Sequence, residues 1–313
     1  MTSTSLQKRS VPTIYFVGVT TTQSSIMQVF PKWSEILGLG AEIAGYDAPL
    51  HAPVEVYRAI VQHIKDDPLS MGALVTTHKI DLLAATRDLF DYLDPHAELC
   101  GEISCISKQN GKLCGHAKDP ISSGLAWEAF VKPDHWQQTR GQVLCLGAGG
   151  AAVAISIYAA NLATPPAKFI AVDIAQERLH ELQAIHQKIA TPMMFEYRLS
   201  PSASQNDALM AQLPPGSLVI NATGLGKDRH GSPITDNGIF PQNGLVWELN
   251  YRGALDFLHQ AKKQAASQNL TLEDGWVYFL HGWTQVIAEV FHIELTPELF
   301  KKLDEAASSL RPQ

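Results

Sequence analysis

Gly147, Gly149 and Ala152 follow the apolar run QVLCL in the spacing G-x-G-x-x-A, the pattern of a strand, a tight turn and a helix that together hold a dinucleotide. Each residue type has a reason. Gly147 can take a turn conformation closed to other residues, Gly149 lets the backbone approach a pyrophosphate, and Ala152 keeps the helix close to the sheet. The N–H groups at the helix start, from Gly149 through Gly150 and Ala151, favour a diphosphate. Glycines also end strands for structural reasons alone, so the pattern needs support. It comes from KFIAVDI, 168–174, which reads as a second buried parallel strand bearing Asp173, 24 residues beyond Gly149. An acid there is placed to accept from the adenosine ribose hydroxyls, or else to cap the helix of AQERLHEL.

Lys79 is the other candidate. Thr76 or Thr77 can cap a helix that begins near His78 and continues as IDLLAATRDLFDYL, apolar on more than one face and therefore interior. Lys79 then lies in the first turn, where a cation opposes the helix dipole at a cost of roughly several tenths of a kcal/mol. The same field lowers a lysine's pKa, which suits proton exchange, although solvated lysines in first turns are common.

The elements that must position these residues alternate. TIYFVGV (13–19) reads as a buried strand, followed by the polar loop TTTQSS and an amphipathic helix over 26–39. A strand over 41–46, a helix over 54–65 and a strand over 72–75 come next. EISCISK and KLCGHAKD flank an Asn-Gly hairpin signal, and Asp119 closes the second run. Pro120 is expected to break regular structure before a helix over 122–131, and KPDHWQQTRG (132–141) is the candidate boundary. Beyond 173 the sequence predicts a helix, strands over 217–220 and 245–249, and a helix over 254–267. Two last apolar-faced helices are expected to return to the first domain. The pattern is α/β with a mainly parallel sheet. The expected division is a substrate domain of 1–125 completed by 270–313, and a doubly wound Rossmann-type nucleotide domain of 126–269. Ligands sit off the carboxyl ends of strands in such sheets, so both strand tips, Asn221-Ala222-Thr223-Gly224 and Asn250-Tyr251, are expected to border the cofactor, with Asn221, Thr223 and Leu249 as its contacts.

Composition narrows the partners. The 313 residues are 45% hydrophobic and 18% charged, enough for two cores, and a net charge of −7 without a basic cluster argues against nucleic acid or an anionic membrane. The N-terminal segment has no apolar h-region, so the expected location is cytoplasmic. Four cysteines without C-x-x-C spacing read as reduced and mostly packed, and the 12 histidines lack metal-ligand spacing, so no metal is expected. A small-molecule substrate and a monomer or homodimer are expected.

In motif order nearly the whole chain resembles the shikimate/quinate dehydrogenase family. ALVTTHK resembles N-V-T-V-P-F-K, CGEISCI resembles I-G-A-V-N-T-L, and GKLCGHAKD resembles G-x-L-x-G-x-N-T-D. LGAGGAA, VINATGLG, VWELNY and EDGWVYFLHGWTQ are similar to L-G-A-G-G-A-x, x-I-N-A-T-P-x-G, x-x-D-x-x-Y and D-G-x-x-M-L-x-x-Q-G. The resemblance implies a hydride transfer between nicotinamide and a secondary alcohol or ketone on a small polyhydroxylated ring. It places Lys79 on the catalytic lysine and Asp119 on its partner aspartate, which orients the lysine and accepts from a neighbouring hydroxyl. It implies substrate contacts at Ser24, Thr76 (or Val75, in an ungapped alignment), Ser104, Tyr251, and His281 or Gly282, with Gln285 a turn away. It adds Gly275 to the cofactor side.

The departures gather at the substrate. Of the family's two carboxylate-binding serines, Ser24 is kept and Ile26 replaces the second, with Met27 at the proline. Ser104 and Ala117 replace asparagines. Shikimate itself is therefore expected to be a poor substrate, and a quinate-like acid or a cyclitol a better one. At the cofactor, Asp173, Ile174 and Ala175 stand where the family has N-R-T, so NAD is expected over NADP. Two other readings stay open: a non-catalytic, nucleotide-responsive regulatory protein, which has no need of Lys79 and Asp119, and a dehydrogenase of folate- or amino-acid-like substrates, which the hairpin segment disfavours.

Overall fold

The computed structural model describes residues 6–311 except Asp228, so the reading of the N-terminal segment falls partly outside the described residues. The described residues divide into two compact units, 6–118 with Gly282–Arg311, and Asp119–His281.

The first unit runs β1 (Thr13–Gly18), α1 (Ile26–Leu37), β2 (Glu42–Asp47), α2 (Val54–Asp66), β3 (Ser70–Val75), α3 (Lys79–Thr86), β4 (Tyr92–Leu93), α4 (Pro95–Cys100), β5 (Cys105–Gln109) and β6 (Lys112–His116). Its sheet has the order β2-β1-β3-β5-β6-β4. β1 is buried throughout and pairs in parallel with β2 and β3, while β5 and β6 form the expected antiparallel hairpin around Asn110 and Gly111, both at positive φ. α1 exists because Ile26, Val29, Phe30 and Trp33 share a face that is fully buried, each side chain contributing about 1.5–3 kcal/mol. Gly38 at φ 63° ends it.

The second unit contains α5 (Asp119–Glu128), α6 (His135–Thr139), β7 (Val143–Leu146), α7 (Gly150–Ala160), β8 (Lys168–Asp173), α8 (Gln176–His186), β9 (Met194–Leu199), α9 (Ala203–Met210), β10 (Leu218–Asn221), β11 (Leu245–Glu248), α10 (Asp256–Gln268) and β12 (Thr271–Glu273). Its six strands are all parallel in the order β12-β11-β10-β7-β8-β9. The order reverses between β7 and β10, which makes that gap the topological switch point. α11 (Trp276–Phe291) then passes from one unit into the other, and α12 (Pro297–Ser308) lies in the first unit, where the Trp33 indole N–H donates to Leu303 O at 2.7 Å.

Several expectations are corrected. Pro120 does not break the chain: it sits in the first turn of α5, where its missing N–H costs no helical bond. The 125/126 boundary falls inside that helix, and Trp136 of the 132–141 stretch packs against Trp127 at 5.5 Å within the second unit. α3 is capped by neither threonine; His78 precedes it without a side-chain cap, and the run is interrupted by a 3-10 turn over Arg87–Leu89. The start of α11 does find partners in the second unit, with Tyr278 5.7 Å from Trp247. β4, β9, α9 and β12 are not evident in the sequence pattern. β9 is a sheet edge, with Met194 and Leu199 exposed and Glu196 paired to Lys168 and Arg198, so no alternation marks it.

Candidate active site

In the first unit the candidate residues gather at the carboxyl end of β1 and β3. Thr76 N–H donates to Val17 O at 3.0 Å, Val75 N–H to Ser104 O at 2.9 Å, and Ser104 N–H to His116 O at 2.9 Å, so Thr76, Ser104 and the end of β6 form one edge. Ser104 is buried and its hydroxyl accepts from the Lys118 N–H at 2.8 Å. Lys79 is the first residue of α3, half-buried, with its N–H on Thr76 O at 3.1 Å and its carbonyl accepting from Ile103 N–H at 3.3 Å.

His78 fixes this corner. The Ala52 N–H donates to the Tyr57 hydroxyl oxygen at 3.1 Å, the hydroxyl meets His78 Nδ1 at 3.1 Å, and His78 Nε2 lies 3.2 Å from Gly18 O. A carbonyl only accepts, so Nε2 carries the proton and Nδ1 accepts from Tyr57. Three loops are thereby fastened beside Lys79. Ser24, half-buried, follows the 3-10 turn Thr21–Gln23, whose Thr21 N–H is held by Asp47 at 2.8 Å.

A charged cluster stands where sequence reasoning placed nothing. Lys118 Nζ donates to Glu289 Oε2 at 2.5 Å, and His116 Nε2 lies 3.4 Å from Glu289 Oε1. Burial pushes Glu289 up, but the Lys118 hydrogen bond and the nearby imidazole outweigh it and hold the carboxyl below its ordinary value. Glu289 is one turn beyond Gln285 on α11, and both lie in the first unit, whereas His281 lies in the second.

In the second unit the strand ends carry a continuous row. Gly147, at φ 105°, leaves no room for a side chain: a Cβ there would stand 2.6 Å from Ala222 O. The turn delivers Gly149 as the N-cap of α7, with Gly150 and Ala151 in its first turn. Open space lies where a Gly149 Cβ would be, and this leaves the helix N-terminus approachable by a phosphate. Asp173 Oδ2 accepts from Ala148 N–H at 2.8 Å and Oδ1 from Ala175 N–H at 3.0 Å. α8 begins at Gln176 and its N-cap, Ala175, makes no side-chain cap.

Across the switch point, Asn221 ends β10. Its Oδ1 accepts from both the N–H and the hydroxyl of Thr223, at 3.2 and 2.7 Å, and its Nδ2 donates to Glu248 Oε2 at 2.7 Å. Glu248, fully buried at the end of β11, also accepts from Asn250 N–H and Nδ2, at 2.8 and 2.7 Å. Burial raises its pKa to about 7 against those three donors. Gly275 packs under the next residues, since a Cβ on it would reach Leu249 O at 2.0 Å. The Tyr251 ring rests on Phe279 at 4.7 Å and Trp276 at 5.5 Å. Asn250 stands at the strand tip expected to border the cofactor, whereas Glu248, although it falls at the acid of the x-x-D-x-x-Y match, is given no role by the sequence. Among the described residues no group of three or more His, Cys, Asp or Glu side chains could hold a metal ion, and no helix is long and apolar enough to cross a membrane.

A glycine turn, a strand-tip acid and an asparagine at the neighbouring strand end, in this topology, can be compared with known proteins. No family model matches the chain. The shikimate dehydrogenase (NADP(+)) of Lactococcus lactis subsp. cremoris is 30% identical over 182 residues. Over that stretch the chain is similar to the shikimate dehydrogenases. That match covers 56% of this chain and 59% of the relative's length. The fold of a shikimate 5-dehydrogenase from Listeria monocytogenes, solved with shikimate and NAD, superposes with a TM-score of 0.72 at 18% identity, covering 95% of this chain and 98% of that one. A 5-ketofructose reductase of a Gluconobacter strain gives 0.70 at 20% identity, with the same coverage. The two-unit α/β architecture is therefore that of the shikimate dehydrogenases.

Proposed function

We propose that this chain is an NAD(P)-dependent dehydrogenase that interconverts a secondary alcohol and a ketone on a small polyhydroxylated ring such as shikimate, quinate or a related cyclitol. The observation that carries the reading is the row of strand ends in the second unit, where Gly147 admits no side chain, the start of α7 stays open, and Asp173 is tied to the same turn. A bound nicotinamide cofactor would supply or accept the hydride. Gly149, Gly150 and Ala151 would face the diphosphate and Asp173 the adenosine ribose, with Asn221, Thr223 and Leu249 toward the nicotinamide.

Lys79 donates to the reacting oxygen, stabilises its developing charge and moves its proton, while Asp119, at the start of α5, accepts from a substrate hydroxyl. Substrate recognition differs from that of a shikimate enzyme. Ile26, in place of a carboxylate-binding serine, is fully buried in the core face of α1, and Ala117 is fully buried as well. Each lost hydrogen bond to a buried ligand oxygen costs about 1–3 kcal/mol. Screening cyclic polyols, hydroxy acids and keto sugars by nicotinamide absorbance with both cofactors tests the proposal; a nucleotide-responsive regulatory protein on the same fold would bind without turnover.

A further inference from the structure

The two loops beyond the switch point share one buried support. Glu248 takes the Asn221 amide on Oε2 and the Asn250 amide and N–H on Oε1, and both amides donate a second time to Leu225 O, at 3.2 and 3.0 Å. Asn221 in turn holds Thr223, whose hydroxyl accepts from Leu225 N–H at 3.1 Å. The carboxyl thus fastens 221–225 to 249–250 from below, and it is completely shielded from solvent.

This clamp stands on one side of the switch point only. Asp173 and the glycine turn, which face the adenosine half in the reading above, belong to β8 and β7, whereas β10 and β11 form the half that takes the second mononucleotide. The carboxylate offers acceptors to three donors at fixed angles, so a neutral amide in its place must present N–H to N–H at one oxygen position. One of the two loops would then lose its anchor.

We propose that Glu248 is a positioning residue for the nicotinamide half of the cofactor, acting through Asn221 and Asn250 and leaving the adenosine half untouched. This rests on the nucleotide reading of the second unit. The test is calorimetric titration of the full-length chain at pH 8 with NAD, NADP, ADP-ribose and 2′-phospho-ADP-ribose. Relative to wild type, Glu248→Gln should weaken the preferred dinucleotide tenfold or more and leave its ADP-ribose fragment within twofold. Asn250→Ala, which removes the amide bridging Glu248 and Leu225, should show the same selective loss and serves if Glu248→Gln does not fold. Equal binding of dinucleotide by wild type and both variants overturns the proposal alone, as does a parallel loss of dinucleotide and fragment. A wild type that binds no nucleotide overturns the nucleotide reading and this proposal with it.

Discussion

Asp173 Oδ2 accepts a hydrogen bond from the Ala148 N–H at 2.8 Å, so the acid at the tip of β8 is fastened to the glycine turn itself. Each carboxylate oxygen keeps a further lone pair, and a ribose 2′-hydroxyl can donate to it, whereas a 2′-phosphate meets it as a like charge. Ile174 beside it is exposed and offers no cation, and Arg178 is turned to Glu181 at 3.4 Å. NAD should be preferred at least tenfold in kcat/KM, about 1.4 kcal/mol. Steady-state kinetics with both cofactors checks this: equal use or an NADP preference would confine Asp173 to holding the turn.

Lys79 begins α3 where the chain is pinned through His78 to Gly18 and through its own carbonyl to Ile103, so the backbone survives loss of the side chain. Lys79→Ala should lower kcat by two or more orders of magnitude, on the order of 3 kcal/mol, with nucleotide affinity unchanged. Near-normal turnover would remove Lys79 from the mechanism.

How much of this could be read from the sequence depended on whether the constraint was local. The glycine turn was legible because positive φ and close approach restrict the residue type, and the hairpin because Asn110 and Gly111 suit a tight turn. Asp173 could be placed at a strand tip, but its bond to Ala148 could not, since 25 residues separate them. The Lys118–Glu289 pair joins residues 171 apart, and neither is unusual in its own segment. Glu248 falls at the acid of the x-x-D-x-x-Y match, but its role is not legible there, because one of the two asparagine amides that close over it comes from a strand 27 residues away. Pro120 misled because a first-turn proline and a helix-breaking one look alike until the helix start is known.

The proposed substrate choice rests on Ile26 and Ala117, fully buried apolar side chains at positions where the resemblance to shikimate dehydrogenases implies polar contacts to substrate. Shikimate oxidation should show a kcat/KM at least a hundredfold below that of the best substrate in the screen, about 2.7 kcal/mol. Efficient oxidation of shikimate at micromolar KM would mean that Ser24, Ser104 and the remaining contacts suffice.

The buried carboxyl of Glu248 makes the second unit's stability depend on pH with a definite sign. Its value in the fold is about 7 against 4.5 for the free group, so the folded state holds the proton more tightly than the unfolded chain. The contribution is therefore fully present below about pH 4.5 and is lost as pH rises through about 7. The difference, 7 − 4.5 = 2.5, corresponds to on the order of 3 kcal/mol. Glu248→Gln cannot titrate there, so comparing the two proteins cancels the other ionisable groups. In urea unfolding at pH 5 and pH 8, wild type should lose stability relative to Glu248→Gln by a few kcal/mol over that interval. A wild-type-minus-variant difference that stays flat with pH would show that Glu248 is ionised in the fold already at pH 5, its three donors outweighing burial.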